Sequence, residues 1–459
     1  KTASGVKVEE DCAFPTHAEA FERLVQALTT GEGAVISSMS EISAVGHRIV
    51  QGAEVFTKTT MVTDEIIEKI DELRELAPVH NHGHALALWA CRKILPDVPQ
   101  VVVFDTAFHQ TIPQKAFMYG FPYEDYEQYH VRKYGFHGTS HRFVTAKLAE
   151  VLGKDLKDLK IVSCHLGNGS SITAVQDGKS VDTTMGFTPL DGVLMGTRCG
   201  AVDPSAVTYV AGKHGFDVAA MDTYMNKQSG MLGISGKSSD FRDITAAAEA
   251  GDKRATLAKD MLVYDIKKDI GAYAAAMNGL DAVIFTGGIG ENAPNCREEV
   301  CENMEYLGIK IDKAANDFKG ELRKISTPDS KVEVWVIPTN EELMIAKDTE
   351  ELKAARSKAI ADATLKATEV PFETLTLCLE GLKVTAKLVG KSNPNAASDL
   401  GVAALNLLAG IKGAWLNVLI NLPGVKDEAA KAGFAAGAAM VAEAEKLAAE
   451  IYESVKASL

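Results

Sequence analysis

Apolar positions change texture once along the chain, at about Leu352. Before that point, short β-branched or aromatic runs alternate with stretches of helical spacing. Residues 16 to 30, Thr63 to Leu76 (closed by Ala77-Pro78) and the segment from His84 to about Leu95 carry the helical period. Ser43 to Val50 and Pro99 to Phe104 carry strand patterns, and the second is continuously apolar, as in a sheet interior. Tyr134-Gly-Phe-His-Gly-Thr-Ser-His141 opens a further helix. Ile161 to Gln176 predicts two strands split by a Gly/Asn/Ser loop. Asp177-Gly178 is a hairpin turn, with a return strand to about Thr184. Thr256 to Asn278 predicts a long helix, and Asp281 to Phe285 a buried strand. The loop Thr286-Gly-Gly-Ile-Gly-Glu-Asn292 follows, with a helix from near Pro294. Val332 to Ile337 is the last strand. Strands alternating with helices imply an α/β fold.

From Lys353 to Leu459 no strand pattern remains. Alanine-rich helical periodicity dominates, broken at Ser392-Asn-Pro-Asn395 and Leu422-Pro-Gly424. This predicts an all-α helical bundle. Gly401 to Ile420 is apolar enough to mimic a membrane span, but it contains Lys412 and two asparagines. A buried bundle helix is the expectation.

Composition sets outer bounds. A chain of 459 residues exceeds one ordinary core. The apolar share of 46% and charged share of 24% describe a globular protein. A net charge of −14 argues against nucleic acid or an anionic membrane as partner. Seven scattered cysteines without a C-x-x-C pair imply reduced thiols and a cytoplasmic location.

Candidate chemistry gathers at strand ends, where open α/β sheets place ligand sites. Gly167 and Gly169 flank Asn168 in a loop suited to phosphate, and Ser170 and Ser171 add hydroxyls. Arg48 and Asp105 follow strands. Arg198 lies in Met195-Gly-Thr-Arg-Cys-Gly200, His137 and His141 flank a helix start, and Glu341 follows the last strand. Asp177-Gly-Lys-Ser180 lacks the leading glycine of a P-loop and reads as a turn.

This set suits phosphoryl transfer to a small acid, where catalysis is mostly positioning and charge stabilisation. Two arginines would clamp the carboxylate and the moving phosphoryl. An imidazolium or N–H donor from His137 would stabilise developing charge. Asp105 would hold one arginine or orient substrate, and Glu341 would position Mg²⁺. Each residue also has an ordinary reading. Arg48 is a surface residue, Asp105-Thr106 a helix cap, and His137 with His141 a packing pair. His80, His82 and His84 are a possible metal cluster.

Residues 1 to about 352 closely resemble acetate kinase. The motifs occur in order: Val45-Gly-His-Arg-Ile-Val50, Val103-Phe-Asp-Thr-Ala-Phe-His-Gln110, Arg132 to His141, His165 to Ser171, Met185 to Leu190, Met195 to Gly200, Asp240-Phe-Arg-Asp243, Gly287 to Asn292 and Ile337 to Glu342. The resemblance implies the two-lobed acetate/sugar kinase–hsp70–actin fold, with lobes of about 1–150 and 151–352. It implies reversible transfer from ATP to acetate, giving acetyl phosphate and ADP, with Mg²⁺ and a homodimer. Arg48, Asp105, His137 and Arg198 match the catalytic residues. Val50, His80, Phe136 and Pro189 match the acetate pocket. His165, Gly167, Asn168, Gly169, Asp240, Arg242, Gly287, Gly288, Gly290 and Asn292 match nucleotide-binding positions, and Glu341 matches the magnesium-linked glutamate.

The family's first strand and its Asn-Ala-Gly-Ser-Ser-Ser phosphate loop are expected upstream of Lys1, which leaves the first lobe incomplete. Gln51-Gly-Ala53 and His80-Asn-His-Gly-His84 depart from the family pattern. Propionate or butyrate is the alternative acceptor. Residues 353–459 resemble the C-terminal part of the formiminotetrahydrofolate cyclodeaminase and methenyltetrahydrofolate cyclohydrolase family. The matching runs are Ala359 to Thr364, Ala367 to Pro371, Asn393 to Ala403 and Leu416 to Pro423. That resemblance implies a tetrahydrofolate ligand or a folate-enzyme activity, with Asp399 as the site-lining candidate.

Overall fold

The computed structural model describes residues 17–77 and 80–459, together with Val6, Val8 and Glu9. The other early residues, Cys12 among them, and the helix stop at Pro78 lie outside the described residues. The chain divides into two compact units, 1–352 and 353–459.

The first unit holds two sheets. Strands β1 (Val45–Ile49), β2 (Thr60–Met61) and β3 (Gln100–Phe104) form one, in the order β1-β3-β2. β1 runs parallel to β3, with Arg48 beside Val103 and Ile49 beside Phe104. Ile49, Val102 and Phe104 pack on Ile67, Ile70, Ala85 and Leu88 from two helices, Asp64–Glu72 and Asn81–Ile94.

The other sheet has six strands: β4 (Lys160–His165), β5 (Ser171–Gln176), β6 (Lys179–Thr183), β7 (Ala282–Thr286), β8 (Arg323–Lys324) and β9 (Glu333–Val336). Their order is β6-β5-β4-β7-β9-β8, and β4, β7 and β9 are mutually parallel. Alternate side chains enter two cores, as the period-two geometry of a strand requires. Val162, Cys164, Val283 and Phe285 meet Ile266 and Ile270 of the helix Lys253–Ala276. Ile161, Ala282 and Ile284 meet Val144 and Leu148 of the helix Gly138–Leu152 on the opposite face. The β5–β6 turn has positive φ at both Asp177 and Gly178, the backbone of a type I′ hairpin.

Three local expectations need correction. The helix that leads into β3 begins inside the histidine run, at Asn81, so the run is not a loop. Helical spacing then separates the rings: His80 and His84 stack at 6.5 Å, while His82 pairs with Asp71 at 2.8 Å. Among the described residues no group of three metal-ligating side chains forms. Gly287–Asn292 is itself a helix rather than a loop. The texture change at Leu352 coincides with the boundary between the two units, and that boundary falls inside one continuous helix, Glu341–Leu388. The start of that helix belongs to the first unit: Thr59, just ahead of β2, and Arg142 of the helix Gly138–Leu152 both bond Asp348.

In the second unit, helices pack around Leu375, Leu382, Ala404, Ile411, Ala444 and Ile451. The helix Ala397–Asn421 is not fully buried. It commits one stripe to this core, while Leu416 and Ile420 stay 68% and 78% exposed. By length and composition alone, 394–424 is long and apolar enough to cross a membrane, with 22% of its apolar window buried. Lys412 sits at the surface, paired with Glu445 at 2.6 Å.

Candidate active site

Two parallel strands deliver Arg48 and Asp105 to one point. The Asp105 N–H donates to the Ile49 carbonyl at 2.9 Å, continuing the β1–β3 ladder. Asp105, 1% exposed, accepts a fork from Arg48: Nε to Oδ1 at 2.8 Å and the terminal nitrogen to Oδ2 at 2.5 Å. Burial pushes the Asp105 carboxyl up, and the Arg48 guanidinium opposes that push. Glu341, first residue of its helix, lies 3.6 Å from Arg48 Nε. Its carboxyl is pushed up by burial and by the nearby Asp105. Of the three sequence readings of Asp105, holding an arginine is the one its contacts describe. Gly138 is required beside it, because a Cβ there would meet the Asp105 carbonyl at 2.2 Å.

His137 sits just before the helix Gly138–Leu152 with a left-handed backbone, φ 55. Its Nδ1 is 2.8 Å from Ser171 Oγ, and its ring stacks on His165 at 4.2 Å. His141 reaches Ser163 at 2.9 Å and the same Ser171 hydroxyl at 2.8 Å. His165 bonds Ser140, which in turn bonds Thr339. Burial, followed by the neighbouring His165 ring, pulls His137 well below its usual value. Burial likewise pulls His165 down to about 4. Both rings are therefore neutral near pH 7, and His137 offers an N–H rather than an imidazolium.

The Gly167–Ser171 loop differs in detail from a free phosphate cradle. The Gly167 N–H already donates to Ser170 Oγ at 3.1 Å. Ser170 and Ser171 are fully buried, one closing the loop and the other bonding the histidines. What the loop opens to is a cavity of about 680 Å³. Gly167, Asn168, Asp240, Arg242, Gly288 and Asn292 line it, with Ser239, Phe241 and Lys319. His165, Gly169, Gly287 and Gly290 are not in that lining. Gly287 packs its backbone on the Leu166 carbonyl at φ +76, and the Gly290 N–H donates to the same oxygen. Gly169 faces Arg198 and the His137 ring; a Cβ there would lie 3.2 Å from the Arg198 guanidinium. Asp240 caps the helix Phe241–Glu249 and pairs with the exposed Arg242, which holds its carboxyl down at about 2.

A second cavity, of about 460 Å³, is lined by Arg198. Val50, His80, Phe136, Pro189 and Arg198 all line it, with Thr188, Asn226 and Lys227. Val50, Phe136, Met185 and Met195 form an apolar cluster behind it. Arg198 donates to the Pro189 carbonyl at 3.1 Å and pairs with no carboxylate among the described residues.

Arg297, Glu291 and Thr339 position the loops of this site. Arg297, 0% exposed, donates to the carbonyls of Gly290, Glu291, Asn316 and Phe318 and to Asn316 Oδ1. It thereby ties the end of the short glycine helix to the segment leading to Lys319. Glu291 accepts from the Gly287 and Thr339 N–H groups at 2.9 and 3.1 Å, joining the β7 and β9 ends. Glu291 and Thr339 lie within recognised motifs, whereas nothing local marks Arg297.

The paired sheets and the cavities at their strand ends are those of the acetate/sugar kinase–hsp70–actin class. A family model described as the Acetokinase family matches residues 1–347, and the chain belongs to that family. It is 53% identical over 352 residues to the acetate kinase of Methanosarcina acetivorans, covering 77% of this chain and 86% of that protein. To a Clostridium botulinum acetate kinase it is 54% identical over 338 residues, 74% of this chain and 85% of the relative. The crystal structure of Porphyromonas gingivalis acetate kinase is similar at TM-score 0.73 and 46% identity, covering 76% of this chain and 88% of that one. A propionate kinase from Francisella tularensis is similar at TM-score 0.68 and 42% identity, covering 73% and 84%. A second family model, Formiminotransferase-cyclodeaminase, matches residues 312–439.

Proposed function

We propose that the chain catalyses reversible, ATP-dependent phosphoryl transfer to acetate, giving acetyl phosphate and ADP. One observation carries this reading. Arg198, a half-buried cation without a carboxylate partner among the described residues, lines the 460 Å³ cavity beside Val50, Phe136 and Pro189 and also meets the glycine loop at Gly169. An acid seated against Val50, Phe136 and Pro189 would bring its carboxylate to that guanidinium. The nucleotide would occupy the cavity at Asn168, Gly288 and Asp240, with its terminal phosphate toward His137.

The acetate oxygen then attacks phosphorus as the bond to the ADP oxygen breaks. Charge develops on the equatorial oxygens, and Arg198 with the His137 N–H would stabilise it. Arg48 is held in place by Asp105, so its remaining N–H donors have a fixed direction. Both Asp105 oxygens face Arg48, whereas the Glu341 carboxylate accepts no hydrogen bond from a described residue and meets Arg48 only at 3.6 Å. Glu341 therefore suits Mg²⁺, bound directly or through water alongside substrate phosphates. Bound there, the ion would neutralise phosphate charge.

The family likeness supports a homodimer, and six described free cysteines support a cytoplasmic setting. A small fatty acid is the second reading for the acceptor, favoured by the propionate kinase neighbour and the 460 Å³ cavity. Comparing kcat/KM for acetate, propionate and butyrate, with acyl phosphate trapped as hydroxamate, tests both. Acetate highest supports the proposal; butyrate highest contradicts it. A folate role for 353–459 rests on the second family match, and Asp399 is exposed there. Spectroscopic titration with tetrahydrofolate tests it.

A further inference from the structure

Ser171 Oγ carries one proton and faces two ring nitrogens, His137 Nδ1 and His141 Nε2, each at 2.8 Å. Both rings are neutral, since burial and neighbouring rings disfavour their charged forms. The hydroxyl must then donate to one ring and accept an N–H from the other. The two tautomers are thus coupled. Either both rings carry their proton on Nε2, or both carry it on Nδ1.

Ser163 breaks the tie. It is fully buried on β4, and its hydroxyl lies 2.9 Å from His141 Nδ1. Among the described residues that is its one side-chain hydrogen bond. If His141 Nδ1 is bare, the Ser163 O–H donates into it. If His141 Nδ1 is protonated, the Ser163 proton is left buried without an acceptor, which is costly. The first arrangement leaves no proton of the chain unmatched. His141 then donates from Nε2 to Ser171, and Ser171 donates to His137 Nδ1. That puts the His137 proton on Nε2. This atom makes no hydrogen bond to a described residue and is not among the buried unpartnered atoms.

We propose that the Ser163–His141–Ser171 chain fixes His137 as its Nε2–H tautomer, so that the ring presents a donor rather than a lone pair to the transferring phosphoryl. The inference rests on the reading of His137 as a phosphoryl-facing residue. Ser163, His141 and Ser171 are positioning residues: they act through His137 and touch no substrate. A bare Nε2 would repel the phosphoryl oxygens, so the relay decides whether the ring assists or opposes transfer.

Long-range ¹H–¹⁵N spectra of the full chain, labelled at histidine, read the tautomer directly. His137 is assigned by its loss in His137→Gln. The expected result is a proton on Nε2 and a bare Nδ1. In Ser163→Ala the tie is lifted, and a second His137 population protonated at Nδ1 should appear. Its kcat should fall about fivefold to tenfold, with KM for ATP changed less than about twofold. Ser163→Cys keeps the volume with a weak donor and should give intermediate populations. A wild-type ring protonated at Nδ1 would overturn the proposal without any variant. So would a Ser163→Ala spectrum identical to wild type. An Nε2–H spectrum that responds to Ser163→Ala while kcat does not would uphold the relay and sink the phosphoryl-facing reading of His137.

Discussion

Arg48 enters the cleft with two donors already bonded to Asp105, at 2.8 and 2.5 Å, and Asp105 has almost no contact with water. The carboxylate therefore acts on the arginine rather than on substrate. Asp105→Asn keeps the shape but cannot accept from both nitrogens. It leaves Arg48 beside Glu341 alone. Steady-state kinetics should show kcat reduced roughly a hundredfold or more, since a displaced guanidinium no longer meets the reacting groups in the required geometry. An Asp105→Asn enzyme with near wild-type kcat would contradict this reading.

Arg297 is the counterpart on the nucleotide side. It is buried and bonds only neutral acceptors, and burial draws its pKa down to about 10. Arg297→Met should free the last carbonyls of the helix Gly287–Asn292 and the segment near Lys319. The expected result is a KM for ATP raised at least about tenfold, with KM for acetate nearly unchanged. Thermal unfolding should also shift down by several degrees, as about 2 kcal/mol or more is lost.

Stability should depend on pH through the buried histidines. His109 and His165 are each pulled down to about 4, mainly by burial. Below pH 6.5 the unfolded chain binds protons that these folded rings refuse. Their contribution is therefore complete above about pH 6.5 and is lost as pH falls toward 4. Each ring is worth up to roughly 3 kcal/mol over that window. Urea midpoints measured from pH 7.5 to 4.5 should fall steadily, and His109→Gln should flatten part of the slope. A midpoint independent of pH would contradict the neutral assignment.

Much of this site was legible because its residues lie in glycine-rich motifs at strand ends. The apolar runs of β3 and β7 likewise announce a sheet covered on both faces. Tertiary partners hid the rest. Gly287–Asn292 has no intrinsic helical preference; its N-terminal backbone is held by the Leu166 carbonyl, and its last carbonyls by Arg297. Arg297 in a sequence reads as a solvated charge, and only the fold buries it. Ser171 is legible only as a loop hydroxyl, and nothing in the sequence joins it to Ser163 or to the two histidines, so the proton chain was invisible. In the helix Ala397–Asn421, high hydropathy suggests full burial, but Ile420 and Leu416 stay exposed.

In the proposed reaction Arg198 stabilises the carboxylate and the phosphoryl group moving toward it. The direct measurement is kcat for ATP-dependent acetyl phosphate formation by Arg198→Ala, compared with the unaltered chain. Removing such a donor should lower kcat by about a hundredfold or more, and Arg198→Lys should recover only part of that loss. A decrease of less than about tenfold in Arg198→Ala would contradict the account.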